Sequence, residues 1–215
     1  MPIMFGPWPI RPTEVFFTSK LSMGLVNLKP LVTGRMFHAS LSDAFPLPDN
    51  PLRLMNNRLL AAYVLVVSRR VVPRFIDLTP DEASDLFKSA HQIAKIIEKE
   101  HNAESLSIAM QDGTAAGQSV AHVHIHIIPR YRGDWMNNDD IYPEIQRKEC
   151  ELALETARRA GDTATVSAME RKTKSFSGPD AEDRPPRSLE EMAAESASLR
   201  PFFEQHDDIW STSSA

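Results

Sequence analysis

His122-Val123-His124-Ile125-His126-Ile127-Ile128-Pro129 is the stretch that decides both the fold and the chemistry. Its alternation predicts a strand over Ala121 to Pro129. Successive side chains on a strand point to opposite faces, so the three imidazoles share one face and Val123, Ile125 and Ile127 share the other. Neighbouring histidines then stand about 6.5–7 Å apart along the strand. The chain has 7 histidines, three of them within these five positions, so incidental packing explains the cluster poorly. Two chemistries suit such a row. Alternate histidines can give zinc two ligands, with another arriving from elsewhere. Alternatively, neutral imidazole near pH 7 can attack phosphorus, giving a phosphoramidate that water cleaves. The loop immediately before the strand favours the second. Gly117-Gln118-Ser119-Val120 offers a glycine, an amide, a hydroxyl and free backbone N–H groups, the donors a phosphate oxyanion needs. No cysteine or carboxylate lies close in sequence to complete a zinc set. A histidine of the row His122, His124 and His126 is therefore the expected nucleophile, and no metal ligand is assigned.

Working outward, Val15-Phe16-Phe17, Gly24 to Leu28, Tyr63 to Val67 and Ser105 to Met110 are short apolar runs of strand type. Thr79-Pro80-Asp81-Glu82 is a capping box with proline at the first helical position. It opens a helix to about His101 whose Ala83, Leu86, Phe87, Ala90, Ala94 and Ile97 form one apolar face. Met1 to Pro12 carries four prolines and reads as an extended arm. Arg35 to Ala62, with its Pro48-Asp49-Asn50-Pro51 turn cluster, reads as an inserted loop with a turn of helix near Leu52 to Leu60. Downstream, Glu144 to Ala160 is a helix candidate stopped by Gly161. Asp162 to Arg187 is polar, breaker-rich and expected to be mobile. Ser188-Leu189-Glu190-Glu191 is a second capping box, starting a helix with Met192, Leu199 and Phe202 free to dock. The fold class is α+β: an antiparallel sheet of about five strands, one long helix and a C-terminal helix. Three parts are expected: a catalytic domain over 1–142 carrying the insertion 35–62, a variable, partly disordered segment 143–187, and a docking helix over 188–206.

The 215 residues carry a net charge of −5, with 42% hydrophobic and 25% charged residues. That suits one soluble core and argues against nucleic-acid or anionic-membrane binding, which need a basic excess. No apolar run approaches the ~20 residues that span a bilayer. One cysteine and no leader pattern give a cytoplasmic expectation, with the nucleus also open.

The triad with its apolar tail resembles the signature of the histidine-triad superfamily, and the flanking blocks resemble its fragile-histidine-triad branch of bis(5′-adenosyl)-triphosphatases. Those blocks are Phe5-Gly6, Leu25 to Pro30, Asp77 to Glu82, Met110 to Gly113, Ala116 to Gln118, Asn138 to Tyr142 and Glu190 to Glu195. The resemblance implies a homodimer that hydrolyses dinucleoside polyphosphates, diadenosine triphosphate giving AMP and ADP through a nucleotidyl-histidine. On that implication His124 takes the AMP moiety and His126 contacts the scissile phosphate and assists the leaving group. The His122 carbonyl orients the nucleophile. Gln111, Gly117, Gln118, Ser119 and Val120 contact phosphate, Asn27 contacts ribose, and Trp8 stands where the branch places a base contact. Each has a plainer reading: Asn27 as a turn former before Pro30, Gln111 as hairpin chemistry, Ser119 as a loop hydroxyl, Trp8 as a packing anchor. No protein-held cofactor is implied, although Mg2+ or Mn2+ can accompany the substrate phosphates. A nucleoside phosphoramidase and a slow-turnover nucleotide-binding signalling module are the alternatives. One departure stands out. The family's Gly-His pair before the Tyr63 strand is missing: Arg35 follows Gly34, and Tyr63 or Arg35 replaces the histidine that normally supports His122.

Overall fold

β-branched runs and a capped amphipathic helix build the expected layers. The computed structural model describes residues 2–27, 63–135, 137–173 and 188–204. Strands β1 (Ile3–Phe5) and β2 (Trp8–Ile10) pair with each other, and β3 (Val15–Thr18), β4 (Ser22–Val26), β5 (Val64–Ser68), β6 (Ser105–Ala109) and β7 (His124–Arg130) form the main sheet. Its order is β3-β4-β5-β7-β6, antiparallel throughout. The inserted loop 35–62, including Arg35 and the helical turn near Leu52 to Leu60, lies outside the described residues.

Helix α1 (Pro80–Glu100) carries the capping box: Glu82 N donates to Thr79 Oγ1 and Thr79 N to Glu82 Oε2, worth about 1 kcal/mol. Arg70 adds a fork to the same carboxylate at 2.7 Å on each arm, and these bonds pull Glu82 down to about 2. Leu86, Ala90, Ile93, Ala94 and Ile97 bury one stripe of α1 against β4, β5, β6 and β7. Phe87, expected on that stripe, is exposed and meets Phe75 edge-on at 6.0 Å instead. A step of one residue from Leu86 turns it about 100° away from the core.

Register places the histidines. His126 pairs with Leu65 and His124 with Val67, while Ile125 pairs with Val66. Directly opposed residues share a face, so His124 and His126 stand together with Leu65 and Val67. The strand begins later than the sequence predicts. His122 and Val123 precede it, held by the bonds Val123 N to Val72 O and His122 N to Val120 O. Both faces of β7 are buried.

Two further expectations change. The N-terminal arm is a hairpin, because Gly6 takes φ +58° at its turn and lets Phe5 pair with Trp8. Part of the stretch from Asp162, expected to be mobile, is helical: α2 (Ile141–Ala160) ends at Gly161 with φ +74°, and α3 (Thr163–Thr173) packs back against it, while 174–187 lies outside the described residues. In the C-terminal region, α4 (Leu189–Leu199) is capped by Ser188 and followed by α5 (Pro201–Glu204). Met192 and Leu199 are buried as expected. Phe202 packs half-buried against the core as expected, and Phe203 goes deeper, against Phe16 and Phe17 at 5.6 and 5.1 Å. Among the described residues no helix is long and apolar enough to cross a membrane.

Candidate active site

His122 is a structural ring. Its Nδ1 accepts from Gly6 N at 3.0 Å, so the proton sits on Nε2, which donates to Ser68 O at 2.7 Å. Burial pushes its pKa down to about 4, despite the carbonyls of Ser68 and Arg70 that favour the proton. The folded state thus binds a proton less readily than the unfolded chain. Stability held above the ordinary value of 6.5 drains away as the pH falls toward about 4. His126, pushed the same way by burial, adds to the loss. Urea midpoints measured from pH 7 to 4 are expected to fall through this window, before Glu82 contributes at lower pH; a flat profile contradicts it.

His124 Nδ1 donates to the His122 carbonyl at 2.6 Å. The neutral ring therefore carries its lone pair on Nε2, directed away from the backbone. That atom faces Glu149 Oε1 of α2 at 3.5 Å. The same carboxylate oxygen accepts from Ser119 N at 2.6 Å and Val120 N at 3.3 Å. Two successive backbone donors and one imidazole nitrogen converge on a single point, and a carboxylate fills it. Phe5 covers the His124 ring edge-on at 5.4 Å and the His126 ring stands 4.8 Å away. His124 is only 1% exposed. Its seal is mixed: an aromatic edge, a second imidazole and a charged group on a single helix.

His126 Nδ1 meets the Tyr63 hydroxyl at 2.6 Å, and among the described residues its Nε2 has no hydrogen-bond partner. Tyr63 therefore supports His126, not His122 as the sequence suggested. β5 pairing explains the difference. Leu65 lies opposite His126, so the residue two before it shares its face, one step along. Support for His122 comes from Ser68 and Gly6 instead.

The remaining expected site residues divide. Gln118 braces the loop, donating to Pro73 O and His122 O and accepting from Gly113 N, so its amide is spent on backbone. Gly117 has φ +99°, and a Cβ there would lie 2.6 Å from Gln111 Nε2, which places the Gln111 amide against the lip. A Cβ on Gly6 would lie 2.8 Å from Val120 Cγ1, so the N-terminal hairpin buttresses the other end. Ser119 Oγ sits 3.0 Å from Cys150 Sγ and 3.2 Å from Lys172 Nζ. Asn27, Phe5, Ile10, Arg11, Leu25 and Met192 line a cavity of about 450 Å3 roofed by Leu152 and Thr156 of α2. It ends short of His124, with Phe5 shared between the two. Trp8 is buried in the core and does not line this cavity.

Glu149 is the residue sequence reasoning missed. Ile145, Glu149 and Leu152 fall at helical steps, and a carboxylate on an apolar stripe was the available signal. Its arrival also corrects the argument against zinc. Ligand atoms of His124, His126 and Glu149 lie within 4.8 Å of one another, so distance in sequence excludes nothing. What speaks against a cation is the pair of N–H groups of Ser119 and Val120 aimed at the same point, which mark an anion seat.

With this geometry in hand, comparisons with known proteins converge. The HIT-domain model matches residues 51–133. The chain is 38% identical over 202 residues to the bis(5′-adenosyl)-triphosphatase of Dictyostelium discoideum, covering 94% of this chain and 93% of that one. It is 36% identical over 210 residues to the asymmetrical bis(5′-nucleosyl)-tetraphosphatase of Schizosaccharomyces pombe, with 96% and 97% covered. The crystal structure of Caenorhabditis elegans NitFhit matches with a TM-score of 0.54 at 28% identity, over 94% of this chain and 30% of that one.

Proposed function

The chain belongs to the HIT-domain family, within its bis(5′-adenosyl)-triphosphatase branch, and from that premise we propose that it hydrolyses dinucleoside polyphosphates through His124. The observation that carries the reading is the seat shared by His124 Nε2, Ser119 N and Val120 N. Glu149 must leave it before a phosphate can enter. The His124 lone pair then attacks the α-phosphorus of one nucleoside in line with the bridging oxygen. The P–N bond forms as the P–O bridge breaks, releasing the rest of the chain; diadenosine triphosphate would release ADP. The positive charge left on the nucleotidyl-imidazole is held by Nδ1–H and the His122 carbonyl. Water attacks the phosphorus next, the P–N bond breaks, and AMP departs with the ring neutral again. Ser119 and Val120 N–H stabilise the oxyanion in both steps, a preorganised contribution of about 3–4 kcal/mol per donor. His126, with its proton on Nε2, donates to the leaving oxygen in this reading. The cavity beside Asn27 is of nucleoside size, with Asn27 on the ribose.

None of these steps draws on a resident metal; Mg2+ or Mn2+ can travel with the substrate phosphates. A homodimer is supported by β6, the outer strand of the sheet, whose Ile108 is 54% exposed. Edge strands of this kind need covering, and a two-fold partner covers one with its own copy. Ile108→Lys is expected to give a monomer by light scattering, and a mutant still dimeric contradicts the assignment. A reducing compartment, cytoplasm or nucleus, accords with Cys150, which is buried and outside any disulfide.

One observation favours the second reading, a slow-turnover nucleotide-binding module: the closed seat. Single turnover of diadenosine triphosphate in 18O-water separates the two. Hydrolysis through His124 puts label into AMP and none into ADP. Tight binding without product supports the module, and label in ADP overturns the proposed site of attack.

A further inference from the structure

We propose that Tyr63 is a positioning residue that fixes the tautomer of His126, donating its hydroxyl proton to Nδ1 so that Nε2–H points into the phosphate seat. The inference rests on the proposed function for its chemical purpose but not for its geometry. The hydroxyl lies 2.6 Å from Nδ1, both side chains are 0% exposed, and the rings are tilted 32° with centroids 5.5 Å apart. Burial and the charges of Glu149 and Glu144 raise the phenol well above its ordinary value, against the pull of Asn27, so it keeps its proton. Burial drives His126 toward the neutral ring, which has one nitrogen to accept with and one to donate from. The nearest ring to it is His124, at 4.8 Å, so a donor on Nε2 serves the oxygen that leaves when His124 attacks.

Nitrogen-15 shifts of the histidines read the tautomer without any substrate. Wild type is expected to show His126 protonated at Nε2, and Tyr63→Phe to lose that preference. Turnover of diadenosine triphosphate by Tyr63→Phe is expected to fall about tenfold or more in kcat, with KM within about twofold. Tyr63→His, which can donate N–H to the same nitrogen, should recover most of the loss. An Nδ1–H tautomer in wild type, or an unchanged kcat in Tyr63→Phe, overturns the proposal. The first of these outcomes leaves hydrolysis through His124 standing.

A separate observation concerns Glu149. We infer that its carboxylate is an internal stand-in for substrate phosphate, so that α2 holds the enzyme in a closed, self-inhibited state. Its Oε1 makes the two contacts expected of a phosphoryl oxygen, accepting from Ser119 N and Val120 N, and lies 3.5 Å from His124 Nε2, while among the described residues Oε2 makes no hydrogen bond. Leu152 and Thr156 of the same helix roof the nucleoside cavity, so one displacement opens both subsites. A ligand that binds only the open state has its apparent affinity reduced by the open fraction. An open population of at most about a tenth implies a penalty of about tenfold or more.

AMP titrated by calorimetry tests this without hydrolysis. Glu149→Ala is expected to bind AMP about tenfold more tightly than wild type or better. Glu149→Gln, which keeps the side chain's volume and loses its charge, is expected to bind more tightly than wild type and decides the matter should the alanine variant fail to fold. Equal or weaker binding by the folded variants overturns the inference. If AMP binds neither wild type nor variant, the nucleotide reading falls with it.

Discussion

His124→Asn is expected to lose about four to six orders of magnitude in kcat, the cost of deleting a covalent nucleophile, while AMP affinity changes only a few-fold. The sizes differ because the two measurements sample different contacts. On the proposed function, ground-state binding uses the cavity lined by Phe5, Leu25 and Asn27, together with the Ser119 and Val120 donors, and none of these is removed. The chemical step needs a lone pair on Nε2, created by the 2.6 Å bond from Nδ1 to the His122 carbonyl. Asparagine can keep a polar contact near that carbonyl but presents no equivalent nucleophile. Rapid-quench turnover and AMP calorimetry on one preparation make the check. A parallel loss of binding and turnover would mean that His124 holds the site together rather than reacting in it.

Arg130→Ala is the largest expected stability change, a loss of about 3–5 kcal/mol. Arg130 ends the same strand that carries His124 and His126. Its guanidinium forks onto Asp134 at 2.7 and 3.0 Å, and also donates to Asn138 Oδ1 and Ser107 Oγ. Arg130 and Asp134 are each 8% exposed, so truncating one strands the other's charge out of water. Asp134 also accepts from Tyr131 N, which makes the turn after β7 part of the same network. Urea unfolding reads the change directly. A loss under about 1 kcal/mol would place this pair with ordinary surface bridges.

The histidine strand was legible because its period is short and its residue types are unusual. Alternation alone put the rings of His124 and His126 on one face, and the Thr79 and Ser188 capping boxes fixed two helix starts to the residue. Strand ends were less legible, since β7 begins at His124 only because Val123 bonds to Val72, a partner no local pattern reveals. The N-terminal hairpin hid behind its prolines: Pro9 is tolerated at a position paired with Met4, and Gly6 supplies the turn. Long-range contacts were the real loss. Sequence gave Glu149 the look of one more acid in a charged helix, and only packing of α2 over the lip brings its carboxylate to His124. Tyr63 was legible as a departure from the family but not in its consequence. Register, which pairs Leu65 with His126, decides which histidine it serves.

The central claim is tested most directly by mixing the protein with diadenosine triphosphate labelled in both adenosines, quenching within a single turnover, and mapping any label retained on the protein. The account predicts an acid-labile AMP moiety on Nε2 of His124, formed as ADP is released and cleared as AMP appears. Label on another residue, or AMP and ADP appearing together with no adduct at any time, would contradict it.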